Sequence, residues 1–147
     1  MNILIVYDGI VLKKVADAMM QSLRSVKGNS MSISEKPIDK VSDRDITSAD
    51  LFLIGSDTVN WGASNKVMGF LSYIRGKNVQ FKAGAAFGLR LKHTLAGSAS
   101  KRIEKFMRMI RLNVVAKHLD LFEDDHGKLD AGELEKAKAY AKYIWMY

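Results

Sequence analysis

The feature that most constrains this chain is its opening stretch, MNILIVYDGIVLKKVA, residues 1–16. Asn2 to Val6 is a short apolar run that Tyr7, Asp8 and Gly9 bring to an end. A helical period begins at once, with Val11, Val15, Ala18, Met19 and Leu23 recurring at three- and four-residue steps. An apolar strand, a tight turn and an amphipathic helix make the first half of a βαβ unit, which commits the chain to a sheet containing parallel strands. In open sheets of that kind ligands bind beyond the carboxyl ends of the strands, which places Asp8 to Leu12 beside any ligand.

The rest of the chain repeats the pattern. A break at Gly28-Asn29 precedes Ser30 to Glu35, whose alternation of Met31 and Ile33 with serines predicts a strand with one wet face. Lys36 to Ser48, with the only proline at Pro37, reads as a connection holding one helical turn. Ala49 to Gly55 predicts a strand buried on both faces, and Ser56 to Gly62 a loop. A helix is predicted over Ala63 to Arg75, with Gly76 as its terminating glycine. Asn78 to Phe87 reads as a strand, Gly88 to Ser100 as a long loop and Lys101 to Leu112 as an amphipathic helix. A weaker strand spans Asn113 to Phe122, and a last helix runs from Asp130 to Trp145. The expected fold class is α/β: one domain over residues 1–147, a doubly wound five-stranded parallel sheet with helices on both faces.

Composition sets the boundaries of function. Hydrophobic residues make up 48% and charged residues 27%, the proportions of a soluble globular protein. The absence of cysteine excludes disulfides, thiolate metal sites and a cysteine nucleophile. The apolar start is too short for a signal peptide or a membrane span, so a cytoplasmic location is expected. The net charge of +7 is unevenly placed: basic residues recur from Lys66 to Lys117 with Glu104 the only acid among them. Such a field favours an anionic ligand or partner, or is simply a solvated surface.

Four segments together resemble the flavodoxin-like family over essentially the whole chain: ILIVYD at residues 3–8, ADLFLIGSDTVNWGASNKVMGFL at 49–71, FKAGAAFG at 81–88, and the closing helix. The resemblance implies strand order 2-1-3-4-5 and flavin mononucleotide (FMN) bound at the carboxyl ends of the strands as an electron carrier. It implies that Ser56, Asp57, Thr58, Asn60, Trp61 and Gly62 form the ring-side loop, with Trp61 stacked on the isoalloxazine. Phe87, Gly88 and Leu89 would form a further flavin loop, and Gly9 with Lys13 would hold the phosphate. Read from residue type alone, Trp61 is equally a rim aromatic, and Phe87 to Arg90 an ordinary connection.

The first loop departs from the family. A hydroxyl-rich turn there wraps the phosphate at a helix N-terminus. Here Gly9-Ile10-Val11-Leu12-Lys13-Lys14 contains no serine or threonine, the loop is short, and Asp8 would repel a phosphate if turned inward. Other chemistries fit less well. The stretch FEDDHGKLDAGE (residues 122–133) mimics a calcium loop but opens on Phe122 where a carboxylate is needed. His93, His118 and His126 lack metal-ligand spacing. Ser56, Ser98 and Ser100 have no visible His–Asp partner, and Gly55-Ser56 stands where a response-regulator receiver needs an aspartate. No motif for sequence-specific nucleic-acid reading is present. The expected function is FMN-dependent electron transfer, with the flavin or another anionic small molecule as ligand and an acidic redox partner met by the basic helix Lys101 to Arg111. The alternative is a flavin-free binding or assembly module that uses that basic face, the aromatic tail Tyr140 to Tyr147 offering an oligomer contact.

Overall fold

A computed structural model describes residues 1–26, 31–92 and 97–145. The predicted break at Gly28-Asn29, His93 and the last two residues of the tail lie outside that range. Strand β1 (Asn2–Asp8) leads into α1 (Ile10–Val26), β2 (Ser32–Pro37), a 3-10 turn at Ile38–Lys40 and α2 (Asp43–Ser48). Then come β3 (Leu51–Val59), β4 (Gly62–Ala63), α3 (Asn65–Ile74), β5 (Ala83–Leu91), α4 (Ala99–Met109), β6 (Asn113–Val114), β7 (Leu119–Glu123) and α5 (Glu133–Trp145).

The sheet runs β2-β1-β3-β5, and its fifth position is shared by β6 and β7, both parallel to β5. This is the expected 2-1-3-4-5 order with the last strand in two pieces. Strand alternation sorts the core between two faces. Ile3, Ile5 and Tyr7 of β1 pack with Leu12, Val15 and Met19 of α1 and with Ala137, Ala141 and Ile144 of α5. Leu4 and Val6 face the other way, toward Val67 and Leu71 of α3 and Ile103 and Met107 of α4. β1 is buried from Ile3 to Tyr7 on both sides, which is why it reads as a continuous apolar run rather than an alternating one.

Several boundaries correct the sequence reading, among them β5 starting at Ala83 rather than Asn78 and Ala63 lying in β4 rather than opening α3. Ser56 to Val59 continue β3 instead of opening a loop, because β5 and β4 supply their ladder partners. β5 likewise runs on to Leu91, three positions beyond the predicted start of the loop. Gly76 does not terminate α3 in the left-handed conformation; that conformation falls to Asn78, at φ +56°. α2 is a full short helix because Ser42 and Asp45 form a reciprocal capping box.

Candidate functional site

The parallel register brings most of the expected residues to one edge. Asp8 pairs with Ser56, Ser56 with Gly88, and Asp57 with Leu89, so the carboxyl ends of β1, β3 and β5 lie side by side. The side chains at that edge are largely committed to one another. Ser56 is fully buried; its hydroxyl accepts the Ser64 backbone N–H at 2.9 Å and donates to the Asp57 carbonyl at 2.8 Å. The Thr58 hydroxyl donates to the Leu89 carbonyl at 2.7 Å and accepts the Ala99 N–H at 3.2 Å. Phe87 and Leu89 point into the core rather than to the edge. A Cβ on Gly88 would lie 2.9 Å from the Ser56 carbonyl oxygen and 3.0 Å from the Ser100 nitrogen, so the start of α4 fills the space that this glycine opens.

The hairpin is separate. β3 and β4 pair antiparallel at Thr58–Ala63 and Val59–Gly62, leaving Asn60 and Trp61 as a two-residue turn with φ +48° and +71°. Positive φ at both central positions is the type I′ pattern. Trp61 is 69% exposed, and with Asn60, Gly62, Met68 and Arg102 it lines a hollow of about 330 Å³ against α3 and α4. Gly9 and Lys13 line a different hollow, of about 570 Å³, with Tyr7, Ile10, Pro37 and Ile38. Trp61 and Gly9 therefore border different hollows, while Asp57 of the expected ring-side set lies against Gly9. The Lys13 ammonium is drawn along α1 by Asp17 at 3.2 Å, with Glu35 at 3.8 Å.

Electrostatics at the start of α1 run against an anion. A Cβ on Gly9 would lie 2.6 Å from Asp57 Oδ2, so the Asp57 carboxylate rests on this glycine just ahead of the helix N-terminus. Burial, with Glu123 and Asp8 adding negative charge, pushes Asp57 up to about 6. Burial and then Asp124 raise Glu123 as well. Asp8 is oriented by Ser64, whose hydroxyl donates to it at 2.6 Å.

Sequence reading missed Ser64 and Glu123, and it placed Arg102 on the basic helix face without its place in the Trp61 hollow. Ser64 had a readable signal, a serine directly ahead of an apolar helical period, and it does cap α3 by accepting from Val67 N–H. Nothing local marks Glu123 or that place of Arg102. The Ser98/Ser100 pair does have a partner: both hydroxyls donate to Asp120 Oδ1, at 2.6 and 2.7 Å, with Arg90 3.7 Å from the other oxygen. Among the described residues no group of acids and histidines is disposed to hold a metal ion.

An FMN phosphate needs donors and positive charge where this edge presents Asp57. At about 4 Å and an effective dielectric of ~20, one such carboxylate repels a unit negative charge by about 4 kcal/mol. A good hydrogen bond to a charged group contributes only roughly 1.5–3 kcal/mol. The phosphate-side residues do not fit the group.

No protein-family model and no curated protein matches the chain. Solved structures do. A flavodoxin from the domain Archaea superposes with a TM-score of 0.84 at 22% identity, covering 98% of this chain and 96% of that one. Oxidised flavodoxin 1 from Bacillus cereus gives 0.83 at 14% identity, over 100% and 99% of the two chains. Rubredoxin oxygen:oxidoreductase from Desulfovibrio gigas gives 0.80 at 22% identity, over 97% of this chain but 35% of that one. Strand order, helix placement and these superpositions agree that the chain has the flavodoxin-like fold.

Proposed function

We propose that this chain is a flavodoxin-fold binding module that works without FMN and meets an acidic partner through the basic face of α4. The observation that carries the reading is the Asp57 carboxylate seated on Gly9, where the fold would otherwise receive a phosphate. Lys101, Arg102, Lys105, Arg108 and Arg111 are all exposed and supply the face. The test is direct: the purified protein is expected to be colourless and to give no saturable quenching of flavin fluorescence at tens of micromolar FMN. A yellow protein, or saturable quenching in that range, overturns it.

A second reading, an FMN-dependent electron carrier, is favoured by the flavodoxins that superpose on nearly the whole chain. When bound, the flavin would supply the redox chemistry, and the chain would supply binding and electrostatics. Trp61 would stack on the ring and Ser56, Asn60 and Gly62 would border it. Gly88 and Leu89 would approach it through their backbone, and Gly9 with Lys13 would stand nearest the phosphate. This reading requires Asp57 to leave Gly9. Asp57→Asn should then strengthen the saturable FMN binding of the wild-type protein at least tenfold by fluorescence titration, whereas the first reading expects no saturable binding from the wild-type protein.

A further inference from the structure

Two residues at the amino-terminal edge of the sheet are held in a conformation that neither favours. Phe81 has φ +72° and is 83% exposed, and Arg111 has φ +67°. Left-handed backbone crowds a Cβ, and glycine or asparagine is the ordinary occupant. The Phe81 N–H donates to the Arg111 carbonyl at 2.9 Å, so the two strained positions form one bridge between the approach to β5 and the end of α4. The bridge holds a phenyl ring in water beside the end of a cationic helix. Met109, in the last turn of α4, is 63% exposed, and Lys105 and Arg108 are exposed on the same helix. Strain and an exposed ring are both costs to the isolated chain, and persistent strain points to use.

Charge narrows what covers the patch. Glu104, the one acid on α4, is turned inward: it accepts the His118 backbone N–H at 3.0 Å and contacts the His118 ring at 3.3 Å. Asp50, just ahead of β3 at this edge, accepts the Asn2 N–H at 2.7 Å. Glu104 Oε1 also lies 3.9 Å from the Arg108 guanidinium, so Arg108 is partly compensated, while Lys105 and Arg111 make no ion pair among the described residues. Aromatic residues, methionine and arginine are the side chains enriched at the centres of protein interfaces.

We propose that Phe81 and Met109, rimmed by Lys105, Arg108 and Arg111, form a docking patch for an acidic segment of another protein that carries one apolar anchor residue. The proposal rests on the reading of the chain as a binding module. A second copy docked through the same patch would oppose like charges, in a chain whose net charge is already +7. A nucleic-acid duplex would engage the cations through its phosphates but leave the apolar pair uncovered.

The probe is a short synthetic peptide rich in Glu and Asp with a central Trp, titrated into the ¹⁵N-labelled full chain. Amide shifts are expected to centre on Phe81, Met109 and Arg111. Replacing the peptide's Trp by Ala should weaken binding about tenfold, as should Phe81→Asn, which removes the ring yet suits the left-handed backbone and so keeps the fold. Arg108→Glu with Arg111→Asn should abolish binding, and Lys14→Glu on α1 should leave it unchanged. The proposal is overturned if the shifts centre elsewhere or are absent at millimolar peptide. It is equally overturned if the Ala peptide or a DNA duplex binds as tightly, or if sedimentation shows self-association that Phe81→Asn removes. FMN titrated into the same samples separates the two readings. Flavin quenching with peptide binding intact defeats only the flavin-free reading; no quenching and no peptide binding defeats only the docking patch.

Discussion

At the scale of single residues, the hairpin tip departs from local preference. Asn60 suits a left-handed position, because its short polar side chain tolerates positive φ. Trp61 follows it at φ +71°, where a type I′ turn favours glycine. Its ring recovers little by burial, since the residue is 69% exposed. Trp61→Gly should therefore stabilise the isolated protein by about 1 kcal/mol, read as a higher urea midpoint with unchanged slope. A lower midpoint would mean that the indole packs against the chain in solution. Gly97 shows the same crowding from the other side: a Cβ there would overlap the Trp61 carbonyl, so Gly97→Ala should be costly however the indole behaves.

At the scale of elements, Ser64 joins three of them. Its hydroxyl caps α3 by accepting the Val67 N–H at 3.2 Å and donates to Asp8 at the end of β1 at 2.6 Å. Its own N–H donates to Ser56 in β3. Removing the hydroxyl loses a cap, typically ~1 kcal/mol, and a hydrogen bond to a charged group of roughly 1.5–3 kcal/mol in context. Ser64→Ala should lower the unfolding free energy by about 2 kcal/mol, and Ser64→Thr, which keeps both roles, should restore most of it. Equal losses for Ala and Thr would place the effect in packing instead.

Elements also set how much could be read in advance. β1, α1, the apolar part of β3 and α4 were legible because burial marks the sequence, as an unbroken apolar run at Ile3 to Val6 and as a helical period from Ile103 to Ile110. The polar ends of β3 and β5 were not, because Ser56 and Asp57 sit in the ladder through Gly88 and Leu89, some thirty positions away, and Thr58 through the hairpin strand at Ala63. The division of the last strand into β6 and β7 has no local signal either. The candidate site was legible as a location and not as an arrangement. Gly9, Ser56 and Gly88 were placed at one edge by strand order, but nothing in the local sequence could reveal that Asp57 rests on Gly9.

At the scale of the whole molecule, charge is separated: cations cover α4, while Asp8, Asp57 and Glu123 gather at the carboxyl edge of the sheet. Two half-buried acids, Asp57 at that edge and Glu35 on β2, carry charge into the protein and make stability depend on pH. Burial, then Asp17, pushes Glu35 up to about 7, and burial, then Glu123 and Asp8, pushes Asp57 up to about 6. Their ordinary values are 4.5 and 3.8. Between those limits the folded state holds protons that the unfolded chain has released, so stability should rise as pH falls from about 7 to about 5. Asp17, Asp43, Asp45 and Asp124 are shifted the opposite way, and the stability they contribute is lost only on further acidification, below the usual carboxylate range. Urea midpoints for wild type, Asp57→Asn and Glu35→Gln across this window isolate the two groups. Each variant should lose part of the slope, the double variant most of it, and both should gain most over wild type at the neutral end, where the buried charge is present. A wild-type midpoint that falls steadily toward pH 5, with the variants falling in parallel, would mean that neither carboxylate is buried as described. It would also mean that Asp57 is not seated on Gly9, the contact on which the flavin-free reading depends.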